Sequence, residues 1–71
     1  MNAREWIDAF AATLDTAPPT TEEFATLLDL AGEAAHSSER LAAPVACWVA
    51  ARAGVEPHQA LSEARGIGGD G

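Results

Sequence analysis

The chain has 71 residues and a formal net charge of -7, with eleven acidic residues, four arginines and no lysine. Binding to nucleic acid requires clustered basic groups, and these arginines are scattered, so we expect no nucleic-acid partner. A single cysteine, Cys47, excludes an internal disulfide and is typical of a reducing cytoplasm. The length fits one domain near the lower limit of independent folding.

Membrane insertion is also excluded by the pattern of apolar residues. The N-terminal sequence contains early acidic residues and lacks the apolar segment of a signal peptide. The longest apolar run, residues 41–51, is interrupted by Pro44 and is far shorter than the roughly 20 residues that span a bilayer. We therefore expect no membrane partner and a cytoplasmic location.

Large hydrophobic side chains are few, because much of the 48% hydrophobic content is alanine and only 6% of residues are aromatic. A core of this kind contributes only about 3–5 kcal/mol in chains below about 80 residues, so a second copy or a larger protein partner would add useful burial. The predicted core consists of Trp6, Ile7, Phe10, Leu14, Phe24, Leu27, Leu28, Leu30, Val45, Trp48, Val49 and Leu61.

The first two predicted helices follow from apolar spacing and capping residues. Apolar side chains at helical spacing predict a first helix over residues 3–15, which the prolines of residues 17–19 terminate. Thr20 and Glu23 form a capping-box pattern at the start of a second helix, which ends near His36. The predicted buried face of this helix contains Phe24, Leu27, Leu28, Ala31 and Ala35.

Two shorter helices complete the predicted fold. Pro44 suits the first turn of a third helix, and Gly54 suits the position just after its end. Pro57 begins a fourth helix that Gly66 ends. We predict an all-α fold, a small bundle of about four short helices in a single domain over residues 1–65, followed by a flexible glycine-rich tail over residues 66–71.

A polar joint between the second and third helices is the one candidate site, formed by His36, Ser37, Ser38 and Arg40. Free amides at the start of the third helix, the two hydroxyls and Arg40 would together bind an anion such as phosphate. In the alternative interpretation, which we favour, His36 and Arg40 cap the last carbonyls of the second helix. Arg40 then pairs with Glu33 or Glu39.

Other reactive side chains indicate no catalytic or metal site. Cys47 has no basic neighbour in the sequence, so we interpret it as a structural thiol. The long spacing of His36, Cys47 and His58 matches no metal-ligand signature, and His58 is expected to be exposed. We predict no catalytic residue, no metal and no cofactor. Trp6 and Trp48 are predicted core anchors, and either would become an interface candidate if exposed.

The middle of the chain contains the pattern Leu28-Asp29-Leu30-Ala31, Ala35-His36, Arg40 and Ala43-Pro44, the last of which precedes an apolar helix. Through this pattern the chain resembles a small bacterial domain of unknown function. That domain occurs alone or as a C-terminal extension of molybdenum cofactor guanylyltransferases, which make molybdopterin-guanine dinucleotide. The resemblance extends from Trp6 to about Ala64. The glycine-rich phosphate loop of a nucleotidyltransferase is absent here, so the resemblance implies an accessory module and not the catalyst.

These observations favour a non-enzymatic helical accessory or interaction domain, which the resemblance associates with molybdenum cofactor biosynthesis and a protein partner there. One alternative is a module that binds an anionic nucleotide or pterin phosphate at the joint from His36 to Arg40. Another is a self-associating structural bundle, such as a homodimer.

Overall fold

The computed structural model describes residues 1–67, and these form four α-helices without a strand. The predicted all-α class is therefore confirmed. The helices are α1 (Ala3–Thr13), α2 (Thr21–Ser37), α3 (Ala42–Ala53) and α4 (Pro57–Arg65). No helix within the described residues is long and apolar enough to cross a membrane.

Both N-terminal helices begin with a capping box. In α2, the Thr20 hydroxyl accepts a hydrogen bond from the Glu23 amide at 3.0 Å, and the Glu23 carboxylate accepts one from the Thr20 amide at 2.8 Å. This confirms the capping predicted from the sequence. Asn2 and Glu5 make the same pair of bonds at the start of α1, which satisfies amides that a helix start leaves free.

One helix end differs from the predicted one by two residues. Helix α1 ends at Thr13 because Asp15 adopts a left-handed backbone with φ of 60°. Helix α3 begins at Ala42, so Pro44 lies in its first turn, as predicted. Gly54 ends α3 with φ of 77°, a conformation that glycine adopts without steric cost.

Helix α2 is the centre of the fold because α3 and α4 both pack against it. Leu30 of α2 is only 3% exposed and forms the core with Ala60 and Leu61 of α4. Around this core lie the partly buried residues Leu27, Cys47, Ala50, Val55 and Ala64.

Helix α1 contacts the rest of the chain through Arg4 and through an apolar side that includes the buried Ala11 and the half-buried Ile7. The Arg4 guanidinium donates to the Pro19 carbonyl and lies 5.4 Å from the centre of the Phe24 ring. The Arg4 Nε also pairs with Asp8 at 3.1 Å within α1. The Arg4 contacts join the start of α1 to the start of α2, while Trp6, Phe10 and Leu14 of α1 stay about half exposed.

Most of the predicted core is wrong. Leu30 and Leu61 are buried, and Ile7, Phe24 and Leu27 are half-buried. The other seven predicted core residues are exposed, and they are Trp6, Phe10, Leu14, Leu28, Val45, Trp48 and Val49. They lie on faces of α1, α2 and α3 that no other described helix covers fully.

The overall dimensions also show that the single chain buries less surface than a compact domain of its size. The accessible surface of 5268 Å² exceeds by about a quarter the ~4,200 Å² expected of a folded monomer of 7.3 kDa. The radius of gyration is 12.7 Å, against about 11 Å for a compact domain of this length. The single chain is therefore elongated, with extents of 39 × 23 × 18 Å.

The predicted glycine-rich tail is described only in part. The amides of Gly66 and Ile67 still donate to the Glu63 and Ala64 carbonyls of α4, both at 3.1 Å. Residues 68–71, the remainder of the predicted tail, lie outside the described residues.

Candidate functional site

The predicted joint lies on the surface where α2 ends and α3 begins. His36 and Ser37 belong to the last turn of α2, Ser38 ends that helix, and Arg40 lies in the following turn. All four side chains are exposed. The joint therefore comprises the end of α2 and the turn that follows it, before α3 begins.

The two serine hydroxyls of the joint are bonded to their own helix. Ser37 Oγ donates to the Glu33 carbonyl and Ser38 Oγ to the Ala34 carbonyl, both at 2.7 Å. The Ser38 bond satisfies a carbonyl in the last turn of α2, where a helix leaves acceptors unpaired, whereas the Ser37 bond goes to a carbonyl just before that turn. A capping role at this helix end was predicted for His36 and Arg40 instead.

The start of α3 offers few amides to an anion. The Ala42 amide donates to the Glu39 carbonyl at 2.9 Å, and the Ala43 amide donates to the Arg40 carbonyl at 3.2 Å. Pro44 has no amide hydrogen. The free amides expected in the joint are thus occupied, and binding would depend on the side chains of His36 and Arg40. The anion site stays a prediction.

Arg40 does not form the expected pair with Glu33 or Glu39. Between described residues, Arg4 and Asp8 form an ion pair, and His58 Nε2 makes a 2.8 Å hydrogen-bond contact with Glu22 Oε2. The histidine contact is exposed, as expected for His58, and it connects the starts of α4 and α2.

Side chains along one face of α3 form a second candidate surface, which includes two of the predicted core residues, Val45 and Trp48. Leu41, Val45, Trp48 and Arg52 recur at i, i+4, i+7 and i+11, so they follow one face of the helix. We call these residues the α3 stripe. Trp48 is 59% exposed, and the Arg52 guanidinium lies 5.2 Å from the centre of its ring.

An apolar groove of about 500 Å³ runs between α3 and α4 beside this stripe. Val45 and Val49 contribute its α3 wall, Ala60 and Ala64 its α4 wall, and Leu30 is among its lining residues. Glu63 is the one ionisable residue in the lining, and every other lining residue is apolar. We call this feature the α3–α4 groove. Its composition favours an apolar occupant.

A third apolar surface lies on α1. Trp6, Phe10 and Leu14 are spaced four residues apart and are all exposed. The rings of Trp6 and Phe10 stack, with centroids 5.1 Å apart and planes inclined by 27°. We call these three residues the α1 ridge. The stacking holds two large side chains together in one protruding feature.

Charge is distributed unequally between the two halves of the chain. Residues 1–39 contain eight acidic residues and one arginine, whereas residues 40–67 contain two acidic residues and three arginines. The formal charges are therefore -7 and +1. Helix α3 contains no acidic residue. The α1 ridge thus belongs to the acidic half, and the α3–α4 groove belongs largely to the weakly basic half.

Cys47 lies on the half-buried side of α3, next to the core. Burial raises the pKa of its thiol, which disfavours the reactive thiolate. This supports its interpretation as a structural residue. Among residues 1–67, no three histidine, cysteine or acidic side chains come together in a group that could hold a metal ion.

The exposed surfaces could not be separated from a core by sequence alone. Apolar residues at helical spacing mark a face that packs against something, but the pattern does not say whether that neighbour belongs to the same chain. The two tryptophans were the available signal, since exposure of either was expected to indicate an interface. Both are exposed, at 53% for Trp6 and 59% for Trp48.

No curated protein and no solved structure is significantly similar to this chain. Residues 1–66, nearly the whole chain, match a family described as "Domain of unknown function (DUF6457)". The part of the resemblance that concerns a domain of unknown function is thereby confirmed, whereas these findings contain no link to molybdenum cofactor proteins. The chain belongs to the DUF6457 family.

Proposed function

We propose that this chain is a non-catalytic helical interaction domain that binds a protein partner through the α3 stripe. The observation that carries the proposal is the exposure of Trp48, which is 59% exposed and has the Arg52 guanidinium 5.2 Å from the centre of its ring. Tryptophan and arginine are the residue types that most often dominate the binding energy of protein interfaces.

The composition of α3 supports this assignment. Arg52 is the one charged residue of α3 at pH 7. A partner that packs on α3 would therefore bury mainly alanine, valine and tryptophan surface and would have to desolvate few charges. The seam of Leu41, Val45, Trp48 and Arg52 alternates steps of three and four residues, which is the spacing by which one helix packs along another. A helical face on the partner fits this geometry.

The partner we propose is the molybdenum cofactor guanylyltransferase, on the strength of the sequence resemblance. The chain would act there as an accessory domain, since residues 1–67 contain no constellation of catalytic side chains within a pocket.

Copurification of the two proteins tests the proposal. We expect the tagged chain to retain the guanylyltransferase of its own cell, and Trp48→Ala to weaken binding at least tenfold, as loss of a central interface tryptophan does. Leu28→Ala is the matched control, because Leu28 is 62% exposed but lies on α2, outside the α3 stripe.

Deletion of the gene supplies a second readout, and we expect molybdoenzyme activity to fall. Absence of copurification together with unchanged molybdoenzyme activity would remove the link to the cofactor. Binding of the enzyme with equal strength by the wild type and Trp48→Ala would instead show that the α3 stripe is the wrong surface.

A further inference from the structure

We infer that two copies of this chain form a closed dimer in which the α1 ridge of each copy occupies the α3–α4 groove of the other. This goes beyond the proposed function, because the α1 ridge and the α3–α4 groove are not part of the α3 stripe that binds the protein partner. The stripe and the groove share one residue, Val45. Each copy would contribute one ridge and one groove, so the pairing is reciprocal.

The shapes and chemistry of the two surfaces match. Residues at i, i+4 and i+8 on a helix form the row of anchors with which amphipathic helices enter apolar grooves. Trp6, Phe10 and Leu14 provide such a row, and all three are about half exposed in the single chain. The groove offers them an apolar lining that holds one carboxylate, that of Glu63.

The amount of uncovered surface fits a dimer. The single chain exposes roughly 1,000 Å² more than a folded monomer of its mass, and each partner in a standard protein interface buries about 800 Å². Covering the α1 ridge and the α3–α4 groove would therefore bring each copy close to the usual exposure of a folded protein. The small core gives an independent reason for a dimer. Leu30 and Leu61 are its two large buried side chains, so burial between two copies would add stability.

Charge selects this pairing over its symmetric alternatives. Placing ridge on groove brings α1, which has a formal charge of -1, against α3 and α4, which together have +1. Packing α1 against α1 would bring two negatively charged helices together, and packing α3 against α3 would oppose Arg52 of each copy. Opposite or neutral charges at the contact favour association, whereas like charges oppose it.

Sedimentation equilibrium over a range of concentrations tests the dimer. We expect the wild type to change from 7.3 kDa to twice that mass as concentration rises. Phe10→Asp on the ridge and Val49→Asp in the groove should each remain monomeric while retaining their helical circular dichroism. Leu28→Asp, an equally drastic change on an exposed leucine outside both surfaces, should dimerise as the wild type does.

Mixing the two monomeric variants distinguishes the ridge-to-groove contact from other dimers. The intact ridge of Val49→Asp can enter the intact groove of Phe10→Asp, so the mixture should form a heterodimer more than tenfold weaker than the wild-type dimer. If Val49→Asp fails to fold, Val45→Asp tests the same wall of the groove.

Three results would overturn the inference: a wild type that stays monomeric at millimolar concentration, a dimer indifferent to Phe10→Asp, or variants that fail to complement each other. Trp48→Ala should leave the dimer intact. Failure of guanylyltransferase binding and failure of dimerisation are therefore separate outcomes.

Discussion

The indole of Trp6 stacks on the ring of Phe10 at a centroid distance of 5.1 Å, yet both side chains stay about half exposed. The largest aromatic cluster of the chain is therefore on its surface, whereas the buried centre consists of Leu30 with Ala60 and Leu61. The largest side chains are therefore not the ones that contribute most to the stability of the single chain. Mutation can measure this difference.

Leu30→Ala should destabilise the isolated chain far more than Phe10→Ala does. Leu30 is 3% exposed, and deleting a buried leucine side chain costs about 2–5 kcal/mol, comparable with the whole stability of a domain of this size. Phe10→Ala removes a half-exposed stacking contact worth about 1 kcal/mol. Urea denaturation at a concentration where the chain is monomeric measures both, and equal losses would contradict the assignment of the core.

The capping box at the start of α2 should contribute measurably to stability. Thr20→Ala removes the hydroxyl that accepts from the Glu23 amide, and loss of such a cap costs about 1 kcal/mol. Thr21→Ala is the matched control, because Thr21 is the first helical residue and is exposed. Thermal unfolding should separate the two variants by several degrees. Identical melting temperatures would show that the cap contributes nothing.

Two glycines should respond to alanine in opposite directions. Gly54→Ala forces a side chain onto a residue with φ of 77°, at a cost of about 1–2 kcal/mol. Gly32→Ala lies inside α2, where an added Cβ meets nothing within 4 Å, so it should stabilise the domain by about 0.5–1 kcal/mol. Denaturation midpoints of the two variants should fall on either side of the wild type, and a stable Gly54→Ala would contradict the αL end of α3.

Local signals predicted the helices well because they act within a few residues. The Thr20–Glu23 pair, Pro57 at the first position of α4 and Gly54 after α3 each specify backbone conformation without help from distant parts of the chain. The end of α1 was placed too late, at Asp15, because its apolar spacing continues to Leu14 although the backbone turns there.

The packing of the helices could not be derived in the same way. Trp48 and Leu30 both lie at apolar positions of helices, and only the arrangement of α3 and α4 around α2 decides that Leu30 is buried and Trp48 is not. The sequence indicated that α2 ends near His36, and α2 does end at Ser37. The bonds from Ser37 and Ser38 to their own helix could not be predicted, because they depend on rotamers that residue spacing does not determine.

The joint itself can be tested with inorganic phosphate. Because the Ala42 and Ala43 amides are bonded to backbone carbonyls, we expect the His36 ring resonances to remain unchanged at millimolar phosphate. Arg40→Ala should also leave the melting temperature within about a degree of the wild type, since exposed charges away from networks contribute little. Saturable shifts of His36 that disappear in Arg40→Ala would establish an anion site there.

Cys47 should react slowly with thiol reagents. It should also lower the free energy of unfolding of the domain as pH rises into the alkaline range. Burial raises the pKa of its thiol in the folded chain, so the folded state holds this proton more tightly than the unfolded state does. Stability is then unaffected below the pKa of about 8.5 of an unfolded cysteine and falls as pH rises beyond it, because the unfolded thiol ionises first. We expect the free energy of unfolding of the wild type to decrease more steeply between pH 8 and 10 than that of Cys47→Ala. Parallel pH profiles for the two proteins, or modification by an aromatic disulfide at pH 7 as fast as that of free cysteine, would contradict a half-buried structural thiol.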